Sequence, residues 1–293
     1  MTLRMPDEFT HHADELSNVT LHYMREGSGP PLLLVHGWPG FCWEWRKNIG
    51  PLAEHFDVIA PDMRGFGDST KPPLDRIDLY STEHVIDDFV ELLDRLGLET
   101  VYLCGHDFGS EVVHKFIRRH RDRVGAAAIL NPAVPGWGER YMQRFEESWY
   151  FMFHQLDLAV ELVGSSRETC RAYFNHWLSH WSADAELFTD REIEVYTDTF
   201  MKPGNLHGGF NFYRVKDFWK PIDWTISDCP MVFLQGMADP IAPAAWTDLI
   251  PRWYTDFTIE YVDGGGHFLM CEKPEIVNNR LIEGFLGGGK KTP

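Results

Sequence analysis

Three residues of this sequence have the types and the setting for covalent chemistry. In "VYLCGHDFGSEVV", Val101 to Val113, an apolar run stops at Gly105, an amphipathic pattern resumes near Ser110, and Asp107 stands between Gly105 and Gly109. Small residues two before and two after a central one let a strand and the following helix cross closely, which lifts the central side chain at the strand's end. The helix N-terminus adds partial positive charge that keeps a carboxylate ionised. An aspartate that merely caps a helix is the plainer reading of the same residues. Two further features bear on the choice: "LQGMADPIAP" sets Asp239 just past another apolar run, and "GGGHFLMCEKPE" sets His267 on a Gly-rich loop past the last one. A lone histidine is usually structural, but a carboxylate, a second acid and a histidine at successive run ends are what nucleophilic catalysis requires.

The identity of the nucleophile selects the chemistry. A serine alkoxide suits acyl carbon, whereas a carboxylate can attack an sp³ carbon from behind and become an alkyl ester, so strained ethers and carbon–halogen bonds are the expected targets. His267, oriented by Asp239, would activate water against the ester carbonyl. "VHGWPG", Val35 to Gly40, ends another apolar run, and its Trp38 N–H together with that of Phe108 would hold the resulting oxyanion.

These residues must be carried by a frame. Runs such as "VTLHYMREG", "PLLLVHG", "DVIAPDM", "TVYLCGH", "AAAIL", "MVFLQG" and "FTIEYVDGG" read as strands, several apolar enough for a parallel sheet covered on both faces. "STEHVIDDFVELLDRLG" reads as a helix capped by Ser81, apolar at Val85, Phe89, Leu92, Leu93 and Leu96, and stopped by Gly97. Helices also fit "EWRKNIGPLAEHF", "SEVVHKFIRRH", "PAAWTDLIPRWY" and "PEIVNNRLIEGFL". The alternation predicts an α/β fold with a mostly parallel, doubly wound sheet. It breaks after Pro132: residues 133–220 hold no convincing buried strand but many aromatics, as in "ESWYFMFHQLDLAVELV" and "GGFNFYRVKDFW". We expect a core of residues 1–132 and 221–293 and a mainly helical lid of 133–220, whose aromatics cover a pocket or only pack the lid down.

Composition narrows the partners. A net charge of −17 over 293 residues repels nucleic-acid phosphates and anionic lipid, so neither is expected as a partner. Cys42, Cys104, Cys170, Cys229 and Cys271 form no CxxC and read as structural, reduced thiols. No signal-peptide pattern opens the chain and no apolar run is long enough to span a bilayer, which predicts a soluble cytoplasmic protein. The ending "GGGKKTP" is expected to be mobile. His11, His12 and the other histidines make no HExxH-type pattern, so neither a metal nor another cofactor is expected. Monomer and homodimer both stay open.

"HGWPG", "DMRGFGDS", "GHDFG", "LNP" and "GGGHF" together resemble the α/β-hydrolases with an aspartate nucleophile, over nearly the whole chain. That family includes epoxide hydrolases and haloalkane and haloacetate dehalogenases, and its triad runs in the chain order Asp107, Asp239, His267. The leaving group separates the branches. An opened epoxide leaves a strongly basic alkoxide that needs a weak acid as proton donor, and the resemblance implies two lid tyrosines for this. Tyr213 in "NFYR" matches the second; Tyr150 in "SWYFMFHQ" stands where the first is expected, with Tyr141, Tyr173 and Tyr196 as alternatives. Haloacetate dehalogenases carry Arg where this chain has Phe108 and Glu111, and haloalkane dehalogenases hold halide with a Trp where Phe108 has no N–H on its ring. The resemblance therefore implies an epoxide hydrolase acting, with water and no cofactor, on an apolar epoxide, with Trp149, Phe151 and Phe212 as pocket walls. A dehalogenase is the second reading, and a non-catalytic ligand-binding protein on the same fold the third.

Overall fold

A computed structural model describes residues 3–134, 136–215 and 225–287; the expected lid boundary at 220 and all of the "GGGKKTP" ending but its first glycine lie outside them. Eight strands form one sheet: β1 His11–Glu15, β2 Thr20–Gly27, β3 Pro31–Val35, β4 Asp57–Pro61, β5 Val101–His106, β6 Val124–Leu130, β7 Met231–Gly236 and β8 Phe257–Val262, in the order β1-β2-β4-β3-β5-β6-β7-β8. β1 and β2 pair antiparallel, as do β2 and β4, and every other pairing is parallel. β1 is not among the strands expected from the sequence. Its residues, "HHADE", are almost all exposed, so the strand lacks the apolar alternation by which strands are recognised.

The parallel pairings explain why distant residues meet. Leu34 and Val35 of β3 lie opposite Cys104 and Gly105 of β5, so the loops that follow leave side by side at one edge of the sheet. β7 and β8 end at that same edge, where ligands of open α/β sheets bind.

Two helices form much as their sequences predict. Thr82–Arg95 has Ser81 accepting from the His84 N–H at its start and Gly97 at φ +69° beyond its end, and Phe108–Arg119 follows β5. Prolines shorten two others. The helix expected over Glu44–Phe56 is a 3-10 turn at Cys42–Trp45 and a short helix Ile49–Ala53, because Pro51 lacks an N–H and is tolerated only in a first turn. Similarly, Ala244–Arg252, with Pro251 inside it, is a 3-10 helix.

Between β6 and β7 the described chain is a helical insertion: Trp137–Met142, Phe145–Phe153, Asp157–Val163, Arg167–His180, Asp190–Met201 and Asn205–Arg214. A buried ion pair, Arg46 Nη2 to Glu192 Oε1 at 2.6 Å, joins it to the segment after β3. Helix Asn205–Arg214 crosses the loop after β4 so closely that a Cβ on Gly208 would lie 1.9 Å from the Gly65 carbonyl oxygen. Backbone cannot yield as a side-chain tip can, so Gly208→Ala is expected to cost about 1–3 kcal/mol. Urea unfolding should report that loss, and activity should fall with it because the same helix carries Tyr213; an unchanged midpoint would contradict the close approach.

Candidate active site

Asp107 sits on a strained turn. Its φ of +51° and ψ of −119° are unusual for a residue with a Cβ, and they turn its side chain out from the end of β5. The flanking glycines are required by contact: a Cβ on Gly105 would meet the Gly109 carbonyl oxygen at 2.5 Å, and one on Gly109 would meet that of Val35 at 2.1 Å. Gly37 is constrained likewise, since its Cβ would fall 2.3 Å from that of Asp107. The β3 loop therefore passes directly over the carboxylate, and the Trp38 N–H donates to Asp107 Oδ1 at 2.7 Å. The Trp38–Pro39 peptide in this loop is cis. Phe108 opens the helix behind Asp107, which puts its amide among the terminal donors that lack an i−4 carbonyl.

Oδ2 faces the histidine. His267 Nε2 lies 3.8 Å from Asp107 Oδ2, and His267 Nδ1 donates to Asp239 Oδ2 at 3.0 Å. Asp239 is fixed in turn by the Ile241 and Ala242 N–H groups on its Oδ1. The ring therefore carries its hydrogen on Nδ1, and Nε2, which has no hydrogen-bond partner among the described residues, is the basic atom. Burial opposes protonation of His267, but the charge and hydrogen bond of Asp239, with the charge of Asp107, outweigh it and raise the pKa above its ordinary value.

The tyrosines lie across from the carboxylate on the insertion. Tyr150 and Tyr213 are buried with ring centroids 5.6 Å apart; Tyr150 stacks on Trp38 and Tyr213 meets Phe108 edge-on. Burial first, and the Asp107 charge among lesser causes, pushes both phenols well above their ordinary pKa, which keeps them protonated. The alternatives divide by position. The Tyr141 hydroxyl is 3.0 Å from that of Tyr150 and also reaches the Glu147 carbonyl, Tyr173 bonds His154, and Tyr196 packs against Phe41 and Phe188.

The expected walls are not all brought together. Phe151 packs on Tyr150 and Tyr213, and Phe212 on Phe108 and Phe66. Trp149 is set apart from them: it is 36 % exposed and lies against Trp177 and Phe153.

Three positioning residues escaped the sequence reading. His106, fully buried, places Nδ1 2.9 Å from Glu44 Oε1 and Nε2 2.9 Å from the His267 carbonyl. Asn131, at φ +52°, donates to the carbonyls of Gly266 and His267 and accepts from the Gly236 N–H. Glu44, His106 and Asn131 thus hold the histidine loop against β5, β6 and β7. An acid inside the aromatic run "FCWEW" was the one available signal for Glu44. One group of metal-ligand types occurs among the described residues, His22, Cys42 and Asp62; His22 Nδ1 and Asp62 Oδ2 are 2.6 Å apart in a direct hydrogen bond, so it is a closed cluster.

Residues 30–274 match the family model described as the alpha/beta hydrolase fold. The chain is 30% identical to the soluble epoxide hydrolase of Corynebacterium sp. (strain C12), over 96% of this chain and 99% of that one. It is 31% identical to epoxide hydrolase A of Mycobacterium tuberculosis, over 90% and 92% respectively. Among solved structures it resembles the epoxide hydrolase CorEH, with a TM-score of 0.80 and 27% identity over 96% of this chain and 99% of that one. With its aspartate at the turn and relatives that match it from end to end, the chain belongs to the α/β-hydrolase fold family, in the epoxide hydrolase branch.

Proposed function

We propose that the chain hydrolyses an apolar epoxide to a vicinal diol through an ester on Asp107, with residues 133–220 acting as the lid. The observation that carries this is the division of the Asp107 carboxylate: Oδ1 is held by the Trp38 N–H, while Oδ2 faces His267. Oδ2 is then the nucleophile. It bonds an epoxide carbon, the carbon–oxygen bond breaks, and the departing oxygen takes a proton from Tyr150 or Tyr213. Oδ1 becomes the ester carbonyl oxygen already seated on its donor, with the Phe108 N–H as the second. His267 Nε2 removes a proton from water as the water oxygen joins Cγ, and collapse expels the diol and restores Asp107. The proton on His267 balances the one the tyrosine gave.

The dehalogenase reading draws less support. Glu111 stands where a haloacetate clamp would need a cation, and Lys115 Nζ is paired with it at 2.8 Å rather than available for such a substrate's carboxylate. The aromatic surround of Tyr150 and Tyr213 favours apolar substituents. Residence in the cytoplasm belongs to the same reading: the five cysteines are free and buried, and among the described residues no helix is long and apolar enough to cross a membrane.

The ester pathway makes a labelling prediction. In ¹⁸O-water with enzyme in excess over epoxide, the first-turnover diol should carry no label and the peptide containing Asp107 should acquire it. Label in the first diol would mean direct attack by water and would remove the nucleophile assignment.

A further inference from the structure

The loop that presents the Trp38 N–H is bracketed at both ends by Asp62 and Met63, just past β4. The Met63 N–H donates to His36 Nε2, whose Nδ1 bonds the Gly37 carbonyl, and the Cys42 N–H donates to Asp62 Oδ1 at 2.7 Å. Asp62 is buried, and its Oδ2 accepts from the Asp68 N–H and from His22 Nδ1 at 2.6 Å. The chain of contacts then runs outward. His22 Nε2 is 2.8 Å from His11 Nδ1, the two rings stack at 5.0 Å, and His11 Nε2 is 2.7 Å from the Pro6 carbonyl. His11 is exposed on edge strand β1.

Counting hydrogens along this chain gives its charge. A carboxylate at one end and a carbonyl at the other accept only, so His22 Nδ1 and His11 Nε2 each carry a hydrogen. Two neutral imidazoles have no more to give, and the nitrogens between them would face each other as lone pairs at 2.8 Å. A third hydrogen turns that contact into a bond and leaves the pair with one positive charge, next to a carboxylate.

We propose that His11 and His22 share one proton and, through Asp62, act as positioning residues for the loop that holds the Asp107 ester carbonyl, so that the bracket tightens when the pair is protonated. The positioning half rests on the ester reading above. Of the other charges facing the pair and Asp62, Asp68 favours the proton, while Lys202 on the insertion opposes it and Lys71 lies near both aspartates. Burial opposes it as well, yet the hydrogen bond and charge of Asp62 prevail and His22 is raised above its ordinary pKa, while Asp62 is held well below its own. The sign follows: a raised folded pKa contributes stability that is complete below the unfolded value near 6.5 and is lost as pH rises through the folded one.

Thermal unfolding of the full chain from pH 5.5 to 9.5 tests the shared proton in His11→Phe and His11→Asn. His11 is exposed, so both variants are expected to fold, and Asn places an acceptor oxygen where Nδ1 was. Wild type should exceed His11→Phe by about 3–6 °C at pH 6, with the gap closing by pH 9, and His11→Asn should keep most of the pH-dependent part. A gap that does not change with pH, or one that widens toward alkali, overturns the shared proton.

Positioning is read from single-turnover decay of the ester, taken as a ratio between proteins so that the ionisation of His267 cancels. His11→Phe should decay about threefold more slowly at pH 6–7 and converge with wild type at pH 9. A ratio of one throughout overturns the positioning role. If neither protein forms ester, the nucleophile reading and the positioning fall together, while the melting curves still decide the shared proton.

Discussion

His267→Gln is expected to stop turnover while leaving the first chemical step intact, so that the protein accumulates as its own alkyl ester. Attack by Asp107 Oδ2 uses the Trp38 N–H and a tyrosine proton, none of which belongs to His267, whereas hydrolysis of the ester requires the basic Nε2 beside it. Removing a general base costs about 10²–10⁴-fold. At the upper end that is roughly 5 kcal/mol of barrier, enough for ester decay to fall far below its formation. Intact-protein mass after incubation with an epoxide should rise by the mass of the whole epoxide, and the modified peptide should contain Asp107. A haloalkane would add only its alkyl part, and a binding protein would add nothing. In wild type the same assignment sets the acid limb: ester hydrolysis should fail as pH drops through the raised pKa of His267. A limb that persists in the slow residual decay of His267→Gln would belong to another group.

The sheet, the helix stop at Gly97 and the meeting of Asp107, Asp239 and His267 at strand ends were legible because each rests on local chemistry. β5 and β7 announce themselves as apolar runs, and the glycines at 105 and 109 mark a turn that no larger side chain survives. β1 was hidden because an exposed edge strand needs no apolar face, and its partner β2 supplies the order its own residues do not signal. The shortened helices were visible in principle at Pro51 and Pro251, whose missing N–H outweighs the apolar spacing around them.

Around the site the boundary between legible and hidden follows sequence distance. Glu44, His106 and Asn131 act on the histidine loop from segments 136 to 223 residues away, and nothing in their own neighbourhoods states which backbone they will hold. Trp149 and Phe151 flank Tyr150 on one helix, yet Phe151 packs on Tyr213 and Trp149 on Trp177 and Phe153, a distinction that sequence spacing alone does not make. His11 was set aside for want of a metal-binding spacing, yet its partner is His22 across an antiparallel pair, a relation that only strand register reveals.

Replacing both lid phenols, Tyr150→Phe with Tyr213→Phe, should slow ester formation by about 10³–10⁴-fold, whereas either change alone should cost about tenfold, because one phenol can serve the departing oxygen when the other is gone. The asymmetry between steps is the diagnostic. Without a donor the epoxide oxygen must leave as an alkoxide far more basic than a phenolate, so the opening step bears the whole loss. Hydrolysis of an ester already formed needs only His267, water and the backbone donors. The phenols are suited to this because burial and the Asp107 charge hold each neutral, and that charge is lost when the ester forms, which lowers the cost of becoming phenolate as the proton is given up. Tyr150 has a further support. The Tyr141 hydroxyl holds a single hydrogen that either the Glu147 carbonyl or the Tyr150 oxygen can accept, so a Tyr150 phenolate would have a donor at 3.0 Å. Tyr150→Phe should therefore cost more than Tyr213→Phe, and rapid-mixing fluorescence with limiting epoxide would resolve the formation rate from the decay rate. Undiminished ester formation in the double variant would make the two tyrosines walls of the pocket and send the search for the proton elsewhere in the lid.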